Sequence, residues 1–264
     1  MVRRGACKAG ILLLLAAISL TFPAAYKRLT HSFHLARLKI DLPQEPSWDL
    51  LPLIPKEELT EVLSQEYVYL SRGAQSFVFA SLDGNYVLKL FIFDSPSSTR
   101  VLESSKTAYL HAAKETGLIY AHLNLTEAQL PKTLLKGPIF KRSVISLDHF
   151  RFVLQKRAVP LPKELLRCRQ ENDLESFCLK LEHIFSLLQK RSKTGIYNRD
   201  ARPISNFGFI GSEPVEFDFG QYVYSLQIDK REKEKMRAWH DVIRWVEKEV
   251  PEWKNTVETR LSPS

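Results

Sequence analysis

Apolar and polar positions alternate through residues 66–93, "EYVYLSRGAQSFVFASLDGNYVLKLFIF", with aromatic and β-branched residues at about every second place. The alternation breaks at Arg72-Gly73 and again at Asp83-Gly84. Strand formers separated by turn formers predict three antiparallel strands, at 66–71, 76–82 and 86–93. The period then lengthens. In "SSTRVLESSKTAYLHAAKETGL" the residues Leu102, Ser105, Tyr109 and Ala112 or Ala113 fall on one helical face, with Gly117 as the stop.

Two further strands are expected at "GPIFKRS" and "HFRFVLQKRA". "NDLESFCLKLEHIFSLLQKRSKTG" places Leu174, Phe177, Leu181, Ile184, Phe185 and Leu188 along a long amphipathic helix that Gly195 ends. Short apolar segments "FGFI" and "PVEF" read as a hairpin, and a charged helix carrying tryptophan runs from about Lys230 to Val250. The expected order is β-β-β-α-β-β, a long helix, a short hairpin and a final helix or two. No internal repeat interrupts it.

The first residues follow another pattern. "MVRRGACKAGILLLLAAISLTFPAAYKR" has a basic start and a charge-free run from Ala9 to Tyr26, which fits a signal peptide or a membrane anchor. Cleavage after Ala24 or Ala25 would put Phe22 or Pro23 where a small residue is needed, which favours an uncleaved anchor; cleavage would instead export the chain. Lys27, Arg28, Arg37 and Lys39 balance Arg3, Arg4 and Lys8, so the orientation stays open. Residues 27–60, with Pro43, Pro46, Pro52 and Pro55, read as a linker or an irregular collar, and residues 251–264 as a tail.

Composition narrows the function classes. The chain of 264 residues is 44% hydrophobic, enough for one large or two small domains with a proper core. Its formal charge of +8 is partly spent at the amino terminus, where no acid precedes Asp41. What remains is mixed in sign, so a solvated basic surface is expected and nucleic acid is not. Cys7, Cys168 and Cys178 form no paired spacing, so neither a disulfide framework nor a zinc site is expected.

Candidate chemistry lies in a few residues that break the apolar pattern. Lys89 sits inside the strand "YVLKLFIF", where a charge is costly unless a partner or anionic ligand meets it. Asp200, Asn206 and Asp218 bring oxygen ligands of the kind that hold magnesium into residues 194–222. Between them lie only the hairpin segments.

In chain order these motifs read "RGAQSFVF", "YVLK", "NRDARPISN" and "EFDFG", and over roughly residues 66–245 the chain resembles the protein-kinase-like superfamily. The resemblance implies an α+β, two-lobed fold within residues 61–250. It has an antiparallel-sheet amino-terminal lobe, about 61–158, and a reduced helical carboxy-terminal lobe, about 159–250. It further implies a phosphotransferase that uses ATP and magnesium. In that reading the loop with Gly73 and Ser76 covers the nucleotide and Lys89 binds phosphate. Glu103, with Glu115 in reserve, pairs with the lysine. Asp200 acts as the base, and Asn206 and Asp218 hold the metal.

Several departures belong to the same reading. Asn198 stands where the family has histidine. Asp200 and Asn206 are six residues apart where five are usual, so either Ser205 takes the metal-ligand place or the loop holds one extra residue. The nucleotide loop has a single glycine, and only 44 residues follow Gly220. Asp241 either stands where the family has a buried helix aspartate or belongs to an exposed charged helix. A compact atypical kinase with an unknown protein, glycan or small-molecule acceptor is expected. The alternative is a pseudokinase that binds nucleotide or acts as a scaffold.

Overall fold

The computed structural model describes residues 33–38, 42–92, 98–138, 141–225 and 227–262. The expected membrane anchor or signal peptide at residues 1–26 lies outside them. Among the described residues no helix is long and apolar enough to cross a membrane.

The three opening strands form as the alternation requires: β1 (Glu66–Arg72), β2 (Ser76–Ser81) and β3 (Tyr86–Phe91), each antiparallel to the next. Tyr67, Phe77, Phe79, Leu88 and Leu90 point to one buried face, while Val78, Val87 and Lys89 point to the other. Gly84, at φ +78°, lets the chain turn between β2 and β3, and Asp83 Oδ1 accepts the Asn85 N–H at 2.9 Å.

Four more strands complete a seven-stranded sheet: β4 (Leu118–His122), β5 (Lys132–Lys136), β6 (Arg142–Ser146) and β7 (Phe152–Lys156). Their order is β4-β7-β3-β2-β1-β5-β6, and only the β1–β5 pair is parallel. The strand expected at "HFRFVLQKRA" is β7. Of "GPIFKRS", Arg142 and Ser143 open β6; before them the Gly137 N–H closes onto the Lys141 carbonyl at 2.7 Å and Pro138 has no N–H to give a ladder, and residues 139–140 lie outside the described residues.

Residues 33–38 and 42–54 are a collar, not a free linker. Phe33 and Leu38 are buried in the core of the sheet's outer face beside Leu59, Val62 and Leu63 of α1 (Lys56–Ser64). Trp48 is buried against Val101 and Leu102 of α2 (Ser98–Thr116). Polar groups fix the path between: buried Arg151 donates to the Leu42 carbonyl at 2.9 Å, and Asn124 both donates to the Glu45 carbonyl and accepts its N–H. Each buried aromatic or leucine adds about 1.5–3 kcal/mol, which a solvated linker would forgo.

The second lobe is built on α3 (Leu161–Gln170) and α4 (Leu174–Lys193). Asp173 caps α4 by accepting the Ser176 N–H at 2.9 Å, and Gly195 at φ +86° ends it. Its expected apolar stripe is the core: Phe177, Leu181 and Ile184 are fully buried. Around it lie β8 (Val159–Pro160), β9 (Ile196–Asn198), the one-turn α5 (Pro203–Asn206), β10 (Phe207–Ile210), β11 (Glu213–Glu216) and β12 (Tyr222–Tyr224). Beyond them come α6 (Ile228–Glu249) and α7 (Lys254–Leu261). The expected tail is therefore a docked helix: Val257 is fully buried, and Arg260 pairs with Glu175 and Glu182 of α4. A mostly antiparallel sheet with one crossing helix, followed by a small helical lobe, is the α+β, two-lobed arrangement that the resemblance implies.

Candidate active site

A cleft of about 640 Å³ opens between the lobes, within the range of small-ligand sites. Its lining includes Gly73, Ser76, Lys89, Asp200, Asn206 and Asp218, which come from four separate stretches of sequence. Antiparallel pairing puts Lys89 between Val78 and Val153 on the cleft face of the sheet. The Lys89 ammonium donates to the Phe217 carbonyl and lies 5.4 Å from the Phe219 ring centroid. Burial lowers its pKa, and the nearby Asp218 carboxylate opposes the shift.

The expected Lys89–Glu103 pair is not made. Val101 and Ser105, one helical turn apart, are the α2 residues that line the cleft. Glu103 lies between them in sequence and so on another face of the helix, exposed, where its Oε1 accepts the Trp48 indole N–H at 2.7 Å. Glu115, the reserve partner, pairs with Lys190 at 2.9 Å on the far side.

The roof is the β1–β2 turn, closed by the Gly73 N–H on the Ser76 carbonyl at 2.9 Å. A side chain at Gly73 would meet nothing nearer than 3.8 Å, so this turn does not itself require glycine. Gly220 differs: a Cβ there would fall 2.3 Å from Gln75 Oε1, which reaches down from the roof. Gln75 of the β1–β2 turn thus lies against Gly220 of the "DFG" segment, a relation the sequence does not announce.

The loop from Asn198 to Asn206 is tied down at each step. Asn198 Oδ1 accepts the Asp200 N–H at 2.9 Å, and its Nδ2 donates to the Asp218 carbonyl at 3.1 Å. The extra residue is absorbed in α5, where the Asn206 N–H bonds to the Arg202 carbonyl at 2.9 Å as in a helical turn. Asn206 consequently reaches the cleft, and Ser205 stays exposed. Asn206 Nδ2 donates to the Asp200 carbonyl at 2.7 Å, leaving its Oδ1 without a partner among the described residues. The Asn206 carbonyl also accepts the N–H groups of Phe217 and Asp218, locking the two candidate ligands together.

Asp200 is gripped by Arg202, whose Nε and Nη2 lie 2.8 and 3.0 Å from its two carboxylate oxygens. From α6, Asp241 Oδ2 accepts the Ile204 N–H at 3.0 Å, so this half-buried aspartate supports the loop. A second, fully buried acid, Glu234, does the same for the Asn198 N–H at 2.7 Å.

Beneath the loop Arg191 of α4 holds both Glu216 and Glu234, at 2.9 and 2.6 Å. Glu216 also accepts from Asn198 Nδ2 at 2.6 Å and from the Tyr222 hydroxyl at 2.7 Å. Burial pushes both carboxyl pKa values up against the pull of Arg191. Glu216 was visible in sequence as an acid inside "PVEF". Glu234 sits in a helix charged all along, and no spacing distinguishes it.

The site fits magnesium. That ion is typically held by one or two carboxylates together with substrate phosphates, and the Asp218 carboxylate with Asn206 Oδ1 is such a set. Among the described residues no cluster of three or more acidic, histidine or cysteine side chains offers a self-sufficient metal cage.

Comparison with known proteins finds no matching family model and no matching curated protein. Among solved structures the chain is similar to WbdD in a co-crystal with a kinase inhibitor, at 13% identity and a TM-score of 0.38, over 74% of this chain and 46% of that one. Monomeric WbdD is similar at 16% identity and a TM-score of 0.35, over 70% and 40%. The Legionella pneumophila LegK7 effector kinase is similar at 9% identity and a TM-score of 0.32, over 84% and 39%. The chain spans less than half the length of each of these proteins. Its own element order places Lys89, Asp200, Asn206 and Asp218 on one interlobe cleft, the arrangement that the sequence resemblance implies.

Proposed function

We propose that the chain is an ATP- and magnesium-dependent phosphotransferase. One observation carries the reading: Lys89, Asp200, Asn206 and Asp218, spread over more than a hundred residues, line a single cleft. Gly73 and Ser76 stand over the nucleotide, and Lys89 neutralises phosphate charge. Asn206 Oδ1 and the Asp218 carboxylate hold magnesium, which neutralises phosphate charge when bound. Asp200 orients the attacking hydroxyl and takes its proton. The charge-free run from Ala9 to Tyr26 tethers the domain to a membrane, or exports it if cleaved.

A second reading, a nucleotide-binding pseudokinase, is favoured by one contact. Arg202 occupies both oxygens of Asp200, so the base is engaged before any substrate arrives. Single-turnover assays with Mg-ATP separate the two. The phosphotransferase reading expects turnover that falls by about 10²-fold or more in Asp200→Asn. Turnover unchanged by that substitution removes Asp200 as base, and none in the wild type with intact Mg-ATP binding favours the pseudokinase.

A further inference from the structure

The surface beside Asp200 is sorted by charge. Helix α6 runs along the catalytic loop: Lys230 lies over the Tyr197 ring at 5.5 Å, Glu234 takes the Asn198 N–H, Arg237 donates to the Arg199 carbonyl, and Asp241 takes the Ile204 N–H. The acids in this row turn toward the backbone and are used up there. The cations stay outside. Arg199 and Arg237 are exposed and form no ion pair among the described residues, and Lys233, His240 and Arg244 are exposed on the adjoining face of α6. Lys233 is partly spent on Asp229, at 3.5 Å.

The chain also leaves this surface open. Strand β12 ends at Tyr224 and α6 begins at Ile228, so three residues connect them. A connection of that length spans at most about 11 Å and cannot lay a long segment across the catalytic loop. Tyr224 and Met236 remain 62% and 42% exposed beside it.

We infer that the acceptor carries a fixed anionic group, phosphate or carboxylate, held by Arg199 and Arg237 while its hydroxyl meets Asp200. Two exposed guanidinium groups outside any ion pair among the described residues, one of them anchored by a single nitrogen on the Arg199 carbonyl, match planar or tetrahedral oxyanions. With the anion seated, the hydroxyl oxygen forms a bond to the terminal phosphorus of the nucleoside triphosphate and its proton passes to the Asp200 carboxylate. The bond from that phosphorus to the bridging oxygen breaks, and the nucleoside diphosphate leaves with the electron pair. This inference deepens the phosphotransferase reading and rests on it.

The test titrates the full chain, saturated with Mg-ADP, with glycerol 3-phosphate, glycerate and glycerol. Saturable binding of glycerol 3-phosphate or of glycerate, and none of glycerol, is expected, and which probe binds identifies the anion. Arg237→Gln and Arg199→Gln should each weaken that binding about tenfold, the equivalent of one charge-assisted contact. Arg199→Lys should restore part of it, which a merely structural role would not require. Arg199→Gln leaves the backbone carbonyl that receives Arg237 in place, so it stands if the other variant misfolds. Equal binding of glycerol, no saturable anion binding, or anion affinity unchanged in both variants overturns the inference while leaving Mg-ADP binding intact. A wild-type chain that does not bind Mg-ADP overturns the phosphotransferase reading and this inference with it.

Discussion

Asn198 Nδ2 donates to the backbone carbonyl of Asp218 at 3.1 Å, joining the start of the loop that carries Asp200 to the candidate metal ligand. The same nitrogen donates to Glu216 at 2.6 Å, so one amide sets the spacing of three segments. Asn198→Ala removes a donor from a fully buried carboxylate, which should cost about 1–3 kcal/mol in urea unfolding. Hydrogen exchange should quicken at Asp218 and Gly220 more than in α4. Exchange that rises equally everywhere would mean that Asn198 only supports global stability.

Lys89 has no carboxylate within ion-pair distance among the described residues, and the Phe217 carbonyl and the Phe219 ring offset only part of its dehydration. Lys89→Met should therefore raise the stability of the ligand-free protein, by about 0.5–2 kcal/mol, while weakening nucleotide binding. A thermal melt without ligand checks the first part. A lower midpoint in the variant would contradict a ligand-directed role for this lysine.

The collar supplies a separate expectation. Trp48→Ala should cost about 3–5 kcal/mol, since it empties a buried aromatic site and leaves Glu103 without its donor. A chain beginning at residue 55 lacks Phe33, Leu38 and Trp48 and should be recovered insoluble or unfolded. A soluble, cooperatively melting fragment would restore the linker reading.

Stability should pass through a maximum with pH. Burial pushes His122 down to about 4, below its unfolded value, so as pH falls from about 6.5 the unfolded chain binds a proton that the folded one refuses. Stability is then lost by up to about 3 kcal/mol below pH ~4. Asp148, held low by its hydrogen-bond donors despite its burial, adds a loss in the same direction. Glu216 and Glu234 act oppositely. Their raised values keep protons on the folded state that the unfolded state has released, so stability falls as pH rises above the ordinary carboxyl range. His122→Gln should flatten the acid side and Glu234→Gln the other, both read from urea midpoints at several pH values.

Much of this site could be read from residues that violate their surroundings. Lys89 in an apolar strand and Asp218 between apolar segments announce themselves because burial makes their charge expensive. Asn206 was found despite its spacing, since a single helical turn takes up the added residue. Glu103 was misplaced because helical phase, not distance along the chain, decides which side chains enter a cleft, and Val101 and Ser105 hold that phase. Strand β4, "LIYAH", is buried on both faces and shows no alternation, so periodicity could not reveal it. Gln75 and Glu234 act through contacts between segments distant in sequence, and nothing local marks them.

The most direct measurement is the thermal shift of the full chain with ATP, with and without magnesium. ATP should stabilise the chain in a magnesium-dependent way that is lost in Asp218→Ala and Lys89→Met and survives in Asp200→Asn. A shift that persists unchanged in both Asp218→Ala and Lys89→Met, or no shift in the wild type, would contradict this expectation.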